Sequence, residues 1–201
     1  MKNYLFSLEA VSLMLSECYR TGNSNETGGI LIGPKKHKGI VTDIVPSSSF
    51  AERNTTTYYQ SKKDVEILNQ KLKQYQKLDY DFLGYFHRHP SGMYRLSQGD
   101  IATSKDILQS PNYAINNDLL MCIVTECHGQ NGLPIFTYAL NLNTNHNVVV
   151  QNSAIKVMPK DCIKKYMEYI STITKIKKTG GRDESNHIRQ DSETTSGIEA
   201  S

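Results

Sequence analysis

A chain of 201 residues with 38% hydrophobic and 21% charged side chains has the apolar content to bury one core of ordinary size. That composition excludes wholesale disorder and a multi-domain machine. The formal charge of +3 is too small to argue for a nucleic-acid or membrane partner.

Ser7 opens a helical pattern with Leu8, Val11, Leu15 and Cys18 on one face and Gly22 as its stop. Two strands follow, Gly28 to Gly33 and Gly39 to Val45, the second rich in β-branched residues, with a KKHK turn between them. Val65, Leu68, Leu72 and Tyr75 recur at helical spacing over Ser61 to Lys77. Phe82 to His89 reads as a strand ended by Pro90, Ser91 and Gly92, and Ser97 to Leu108 as a short helix. Leu119 to Thr125, Ile135 to Leu142 and Val148 to Val157 supply later strands. A last helix, Pro159 to Lys177, carries Ile163, Tyr166, Met167, Ile170 and Ile173 on one face, with Gly180 and Gly181 as its stop. This order lacks a regular βαβ alternation and predicts an α+β domain on a curved mixed sheet.

Charge is unevenly placed along this order. Residues 156–178 carry seven lysines against two acids, and 179–201 two bases against five acids. The first stretch reads as a solvated helix face and the second, polar and aperiodic, as a disordered tail. The expected organisation is one domain over 1–178 and a tail over 179–201. No run approaches the roughly 18 apolar residues of a membrane span, and MKNYLFSLEA lacks the form of a signal peptide, so a cytoplasmic protein is expected. Cys18, Cys122, Cys127 and Cys162 fit no zinc-ribbon spacing and read as reduced, mostly buried thiols. His37, His128, His146 and His187 fall in turns or the tail and read as solvated.

The chemistry lies in GYFHRHPSGMYRLSQGD. His87 and His89, two apart on a strand, present both imidazoles on one face, close enough to share a metal at about 2.0–2.1 Å each. Asp100, in the first turn of the next helix, faces back toward the strand end as a third ligand. Two imidazoles and one carboxylate leave zinc an open position for water, whose pKa it lowers to roughly 7. Hydrolysis also needs a base, and Glu26, in NETGGILIG ahead of a glycine pair that permits close backbone approach, is the candidate. Ser97 can donate to a developing oxyanion. Taken singly each feature has a plainer meaning: a histidine pair in a strand, a loop carboxylate, and a Ser-x-x-Asp capping box that satisfies helix N–H groups. The full spacing of His-x-His-Pro, six residues, then Ser-x-x-Asp is what points to a metal site.

ETGGILIG at 26–33 and HRHPSGMYRLSQGD at 87–100 resemble the two signatures of the JAB/MPN (JAMM) family of zinc metalloproteases, a likeness spanning about residues 5–175. The resemblance implies a curved mixed β-sheet flanked by helices, with a topology like that of cytidine deaminases. It implies zinc held by His87, His89 and Asp100, Glu26 as general acid/base, and Ser97 as oxyanion stabiliser. It implies hydrolysis of the isopeptide or peptide bond after the C-terminal glycine of a ubiquitin-like protein, in deconjugation or precursor processing. The expected partners are a ubiquitin-like protein or its conjugates, with associated activating and conjugating enzymes. HRHP with Ser97, Gly99, Asp100 and Thr103 is similar to bacterial members encoded beside such enzymes in antiphage defence operons. Arg88 stands where many members have Ser or Thr and Leu96 where many have Pro; both leave the ligands in place and point to altered substrate contacts.

The sequence is also compatible with a non-catalytic MPN-type interaction module, with processing of a sulfur-carrier-type ubiquitin-like protein, and with nucleic-acid association through Lys164 and Lys165 of the basic helix, the last disfavoured by the near-neutral body. Neither HExxH nor the His-x-Glu with Pro-Cys-x-x-Cys of nucleobase deaminases occurs. Tyr58, Tyr59 and Tyr85 are candidates to line a groove for an extended, glycine-ended tail, with core packing as the favoured alternative role.

Overall fold

The computed structural model of the chain describes residues 2–21, 25–55, 57–113, 115, 118–126 and 134–180. Two compact units divide it, 1–163 and 164–201. Of the second, the described part is helical, so residues 179 and 180 belong to a helix rather than to the expected tail; residues 181–201 lie outside the described residues.

The first unit is α+β, as expected. It opens with a strand that periodicity did not reveal, β1 (Lys2–Ser7), pairing parallel with the strand that comes last in the chain. Ser7 then caps α1 (Leu8–Arg20), its hydroxyl accepting from Ala10 N at 2.9 Å and donating to Thr42 O at 2.7 Å. The buried face of α1 is Ala10, Met14 and Cys18, with Val11 and Leu15 at its margin. Leu8, expected inside, is 51% exposed. The helix is thus turned from the expected face so that Ala10, the smallest of these side chains, meets the sheet. Gly22 lies outside the described residues, and Thr21 caps the helix.

After β2 (Gly28–Pro34), the expected single strand from Gly39 to Val45 is two, β3 (Ile40–Val41) and β4 (Asp43–Pro46). Between them Thr42 donates its N–H to Ile32 O at 2.9 Å, and the chain switches from pairing with β1 to pairing with β2. A small hairpin of β5 (Glu52–Arg53) and β6 (Tyr58–Tyr59) follows, then α2 (Lys62–Gln76) capped by Ser61, β7 (Tyr80–Arg88) and α3 (Gln98–Gln109). β8 (Leu119–Val124), β9 (Ile135–Leu142), β10 (Val148–Met158) and α4 (Lys160–Gly180) complete the order. The large sheet runs β3-β1-β10-β9-β8-β7-β2-β4. Its two edge strands, β3 and β4, are joined by Thr42 alone, so the sheet curls almost closed and leaves little free edge.

Two apolar layers flank this sheet. Phe6, Leu31, Phe86 and Leu120 pack with Met14 of α1, whereas Ile32, Phe82, Met121 and Leu140 pack with Leu68 of α2 and with α3. A bulge in β7 assigns its residues to the layers. Register with β2 jumps from Gly84 opposite Leu31 to Phe82 opposite Ile32, leaving Leu83 as the extra residue. Leu83 and Phe86 therefore face α1, while Phe82 and Tyr85 face α2 and α3 on the side that also receives His87. Buried Cys18 and Cys122 have thiols pushed up to about 12 by burial, which keeps them protonated and unreactive. Cys162 is exposed, and Cys127 lies outside the described residues. Exposed His146 fits the solvated reading, His37 is half-buried, and His128 and His187 lie outside the described residues. No described helix is long and apolar enough to cross a membrane.

Candidate metal centre

The antiparallel register of β2 with β7 places Gly28 opposite His87. Arg88 N–H donates to Thr27 O at 2.7 Å, so the next rungs set Thr27 across from Arg88 and Glu26 across from His89. Alternation then sends Glu26, His87 and His89 to one face of the sheet. The imidazole rings of His87 and His89 lie edge to face with centroids 4.4 Å apart. A Cβ on Gly28 would meet Phe86 O at 2.6 Å and Tyr58 Cε1 at 2.9 Å, so only glycine lets the strand come this close beneath the tyrosine.

Asp100 arrives from the first turn of α3. Its Oδ2 accepts from Ser97 N at 2.6 Å while Ser97 Oγ accepts from Asp100 N at 3.1 Å, a complete capping box. The box and the metal reading coincide: the cap fixes the rotamer that aims the carboxylate at both histidines. Tyr85, expected only to line a groove or pack in the core, supports it by donating to Asp100 O at 3.2 Å and pairing with Ser104 Oγ at 2.7 Å.

Asp100 Oδ1 lies 3.1 Å from His87 Nε2, and Oδ2 lies 3.4 Å from His89 Nε2. Ligand atoms of these three buried residues all fall within 4.8 Å of one another. His89 Nδ1 is 2.8 Å from Met93 O; a carbonyl only accepts, so Nδ1 carries a hydrogen and a neutral ring turns its Nε2 lone pair toward the carboxylate. A lone pair facing a carboxylate oxygen needs a proton or a metal cation between them. His87 Nε2 is buried and, although 3.1 Å from Asp100 Oδ1, makes no hydrogen bond of acceptable geometry, so it too is a donor atom available to a metal. The triad can hold a metal ion, and its donors are those of a site with an open position.

Burial pulls the His87 imidazole down and keeps it neutral. For His89 burial also acts downward, but the neighbouring Asp100 outweighs it and the pKa is raised. Burial would push Asp100 up; the two imidazoles and Ser97 N–H instead hold it well below the usual carboxylate range. Without metal, Asp100 therefore adds stability above its unfolded pKa of about 4 and loses it as pH falls, while His89 adds stability below about 6.5 and loses it as pH rises through its raised value. Metal must displace the His89 proton. Zinc affinity, measured by chelator competition, is expected to climb about tenfold per pH unit until the raised His89 value is passed; a flat profile from about pH 5 to 8 would exclude His89 as a ligand.

Glu26 is buried, its pKa raised by loss of solvent and by Asp100 against an opposing pull from His89, and its N–H is pinned to Asn54 O at 2.8 Å. Exposed Ser97 lines the same cleft, a space of about 570 Å³ that extends from the histidines between Leu68 and Leu72 of α2 and Ile107 of α3. Tyr58, Tyr59 and Tyr85 all border it. Core packing, the favoured alternative, does not describe Tyr59, which is 63% exposed. Arg88 does not reach the cleft: it is 2% exposed and turned to the α1 face, so the expected substrate contact there is corrected. Leu96 is half-buried against the α2–α3 layer, a packing role. Met93 was not anticipated, because its contribution is a backbone carbonyl that any residue supplies.

No protein-family model matches the sequence, and no curated protein does. Among solved structures, that of protein DSY2949 from Desulfitobacterium hafniense is similar, with a TM-score of 0.53 and 18% identity over 78% of this chain and 94% of that one. At that identity the likeness shows the α+β fold alone.

Proposed function

We propose that the protein is a zinc-dependent isopeptidase or peptidase that cleaves after the C-terminal glycine of a ubiquitin-like protein. The observation that carries the reading is the convergence of His87, His89 and Asp100 with His87 Nε2 buried and without a hydrogen bond of acceptable geometry, and with Glu26 in the rung across from His89. The likeness of the 26–33 and 87–100 segments to JAB/MPN signatures supports the substrate class, a cytoplasmic setting and a place beside activating and conjugating enzymes in a bacterial antiphage operon. Zinc held by the triad would supply Lewis acidity to the scissile carbonyl and acidify water. Glu26 takes the proton from the attacking water and passes it to the leaving amine, its raised pKa bringing it closer to a working pH near neutrality. The Ser97 hydroxyl, which accepts from Asp100 N, keeps its own hydrogen to donate to the oxyanion. The cleft beside Tyr58 and Tyr59 suits an extended glycine-ended tail.

The test is cleavage of a ubiquitin-like protein fused or conjugated through its C-terminal glycine, with and without chelator. One zinc per chain and chelator-sensitive cleavage are expected. Zinc bound without turnover of any such substrate would favour the interaction module, and no zinc bound would end the enzymatic reading and leave the module.

A further inference from the structure

The strand that carries the histidines is also gripped from behind. Arg88, between His87 and His89, points through the opposite face of the sheet, where its Nη1 donates to Cys18 O at 2.7 Å and its Nη2 to Glu126 Oε1 at 3.1 Å. Cys18 belongs to the last turn of α1, whose carbonyls lack helical partners and carry the negative end of the helix dipole, a natural seat for a guanidinium. The residue beside it, Glu17, is 6% exposed and accepts the Thr27 hydroxyl at 2.8 Å. Thr27 is the neighbour of Glu26 and sits across from Arg88. Consecutive residues at the end of α1 therefore hold both strands of the site from the rear, one behind the histidines and one behind Glu26. Arg53 closes the arrangement, donating to Thr27 Oγ1 at 3.0 Å and to Ser47 O at 3.0 Å.

We propose that Arg88 is a positioning residue for the metal centre, which tethers the end of β7 to the last turn of α1 and so fixes the separation and tilt of His87 and His89. This rests on the metal-site reading above. A buried guanidinium is costly to desolvate, and packing alone would be served as well by an apolar side chain of similar length. What an apolar side chain lacks is the directed bond to Cys18 O, made by a residue adjacent in the chain to both histidines. The rear tether acts on both ligands at once, as outer-shell groups that orient metal ligands do.

The experiment compares zinc affinity, by chelator competition, and the visible absorption of the cobalt(II)-loaded protein among four folded proteins: wild type, Arg88→Met, Glu126→Gln and Met14→Ala. Met14 is fully buried in the apolar layer on the α1 side of the sheet and is not one of the triad, so its truncation reports destabilisation alone. Arg88→Met is expected to bind zinc about 10- to 100-fold more weakly with a shifted cobalt spectrum. Glu126→Gln and Met14→Ala are expected to match wild type in both. If Arg88→Met does not fold, Arg88→Lys, which keeps the charge but loses the planar fork, carries the same expectation. Affinity and spectrum unchanged in the Arg88 variant, or changed equally in Met14→Ala, would overturn the proposal; failure of the wild type to bind zinc would instead overturn the metal-site reading.

Discussion

Glu26→Gln should lower kcat about 10²- to 10⁴-fold while leaving one zinc per chain, because it removes a proton acceptor and nothing that ligates. The substitution preserves shape, and the backbone bond from Glu26 N to Asn54 O is untouched. Burial disfavours the charged carboxylate, so its neutral isostere is expected to be at least as stable as wild type, the usual relation between a strained functional group and the fold that holds it. Turnover should therefore fall without a fall in the melting temperature. Full activity in the zinc-loaded variant would remove Glu26 from the mechanism, whereas loss of zinc would mean that it ligates.

The largest effect on stability is expected at Gly84. A Cβ there would lie 1.8 Å from Leu120 O, and φ of +154° is a conformation that side chains resist. Neither obstacle can yield cheaply, since Leu120 is backbone in β8, paired with Gly84 in parallel register. Gly84→Ala should cost about 3–5 kcal/mol, or roughly 10 °C in Tm for a domain of this size. The same change should weaken zinc binding, because the bulge at Leu83 sets which face His87 and His89 occupy. A loss below about 1 kcal/mol in a denaturant titration would show that β7 and β8 can separate without cost.

The donors of the site were legible because their spacing is short and its meaning local. Two residues along a strand keep one face, and a Ser-x-x-Asp cap turns its carboxylate back toward the preceding strand whatever surrounds it. The strands from Gly28, Leu119 and Ile135 were legible for the same reason, as apolar runs bounded by breakers. β1 was not, because KNYLFS is short, its partners β3 and β10 lie about 35 and 150 residues away, and pairing of that range leaves no local periodicity. The expected face of α1 was turned because helical spacing alone does not distinguish a stripe through Leu8 from one through Ala10 when both are apolar.

By itself the sequence determined which residue types can bind a metal here, the α+β class, and the order of most elements, since these follow from composition and short-range periodicity. Only the tertiary structure decided that Glu26 stands across from His89, that Arg88 leaves the cleft for the end of α1, that Met93 supplies the carbonyl fixing the His89 tautomer, and that β3 and β4 draw the sheet almost closed. Each of those depends on register between strands distant in the chain, and register is set by pairing and burial across the whole sheet rather than by any one segment.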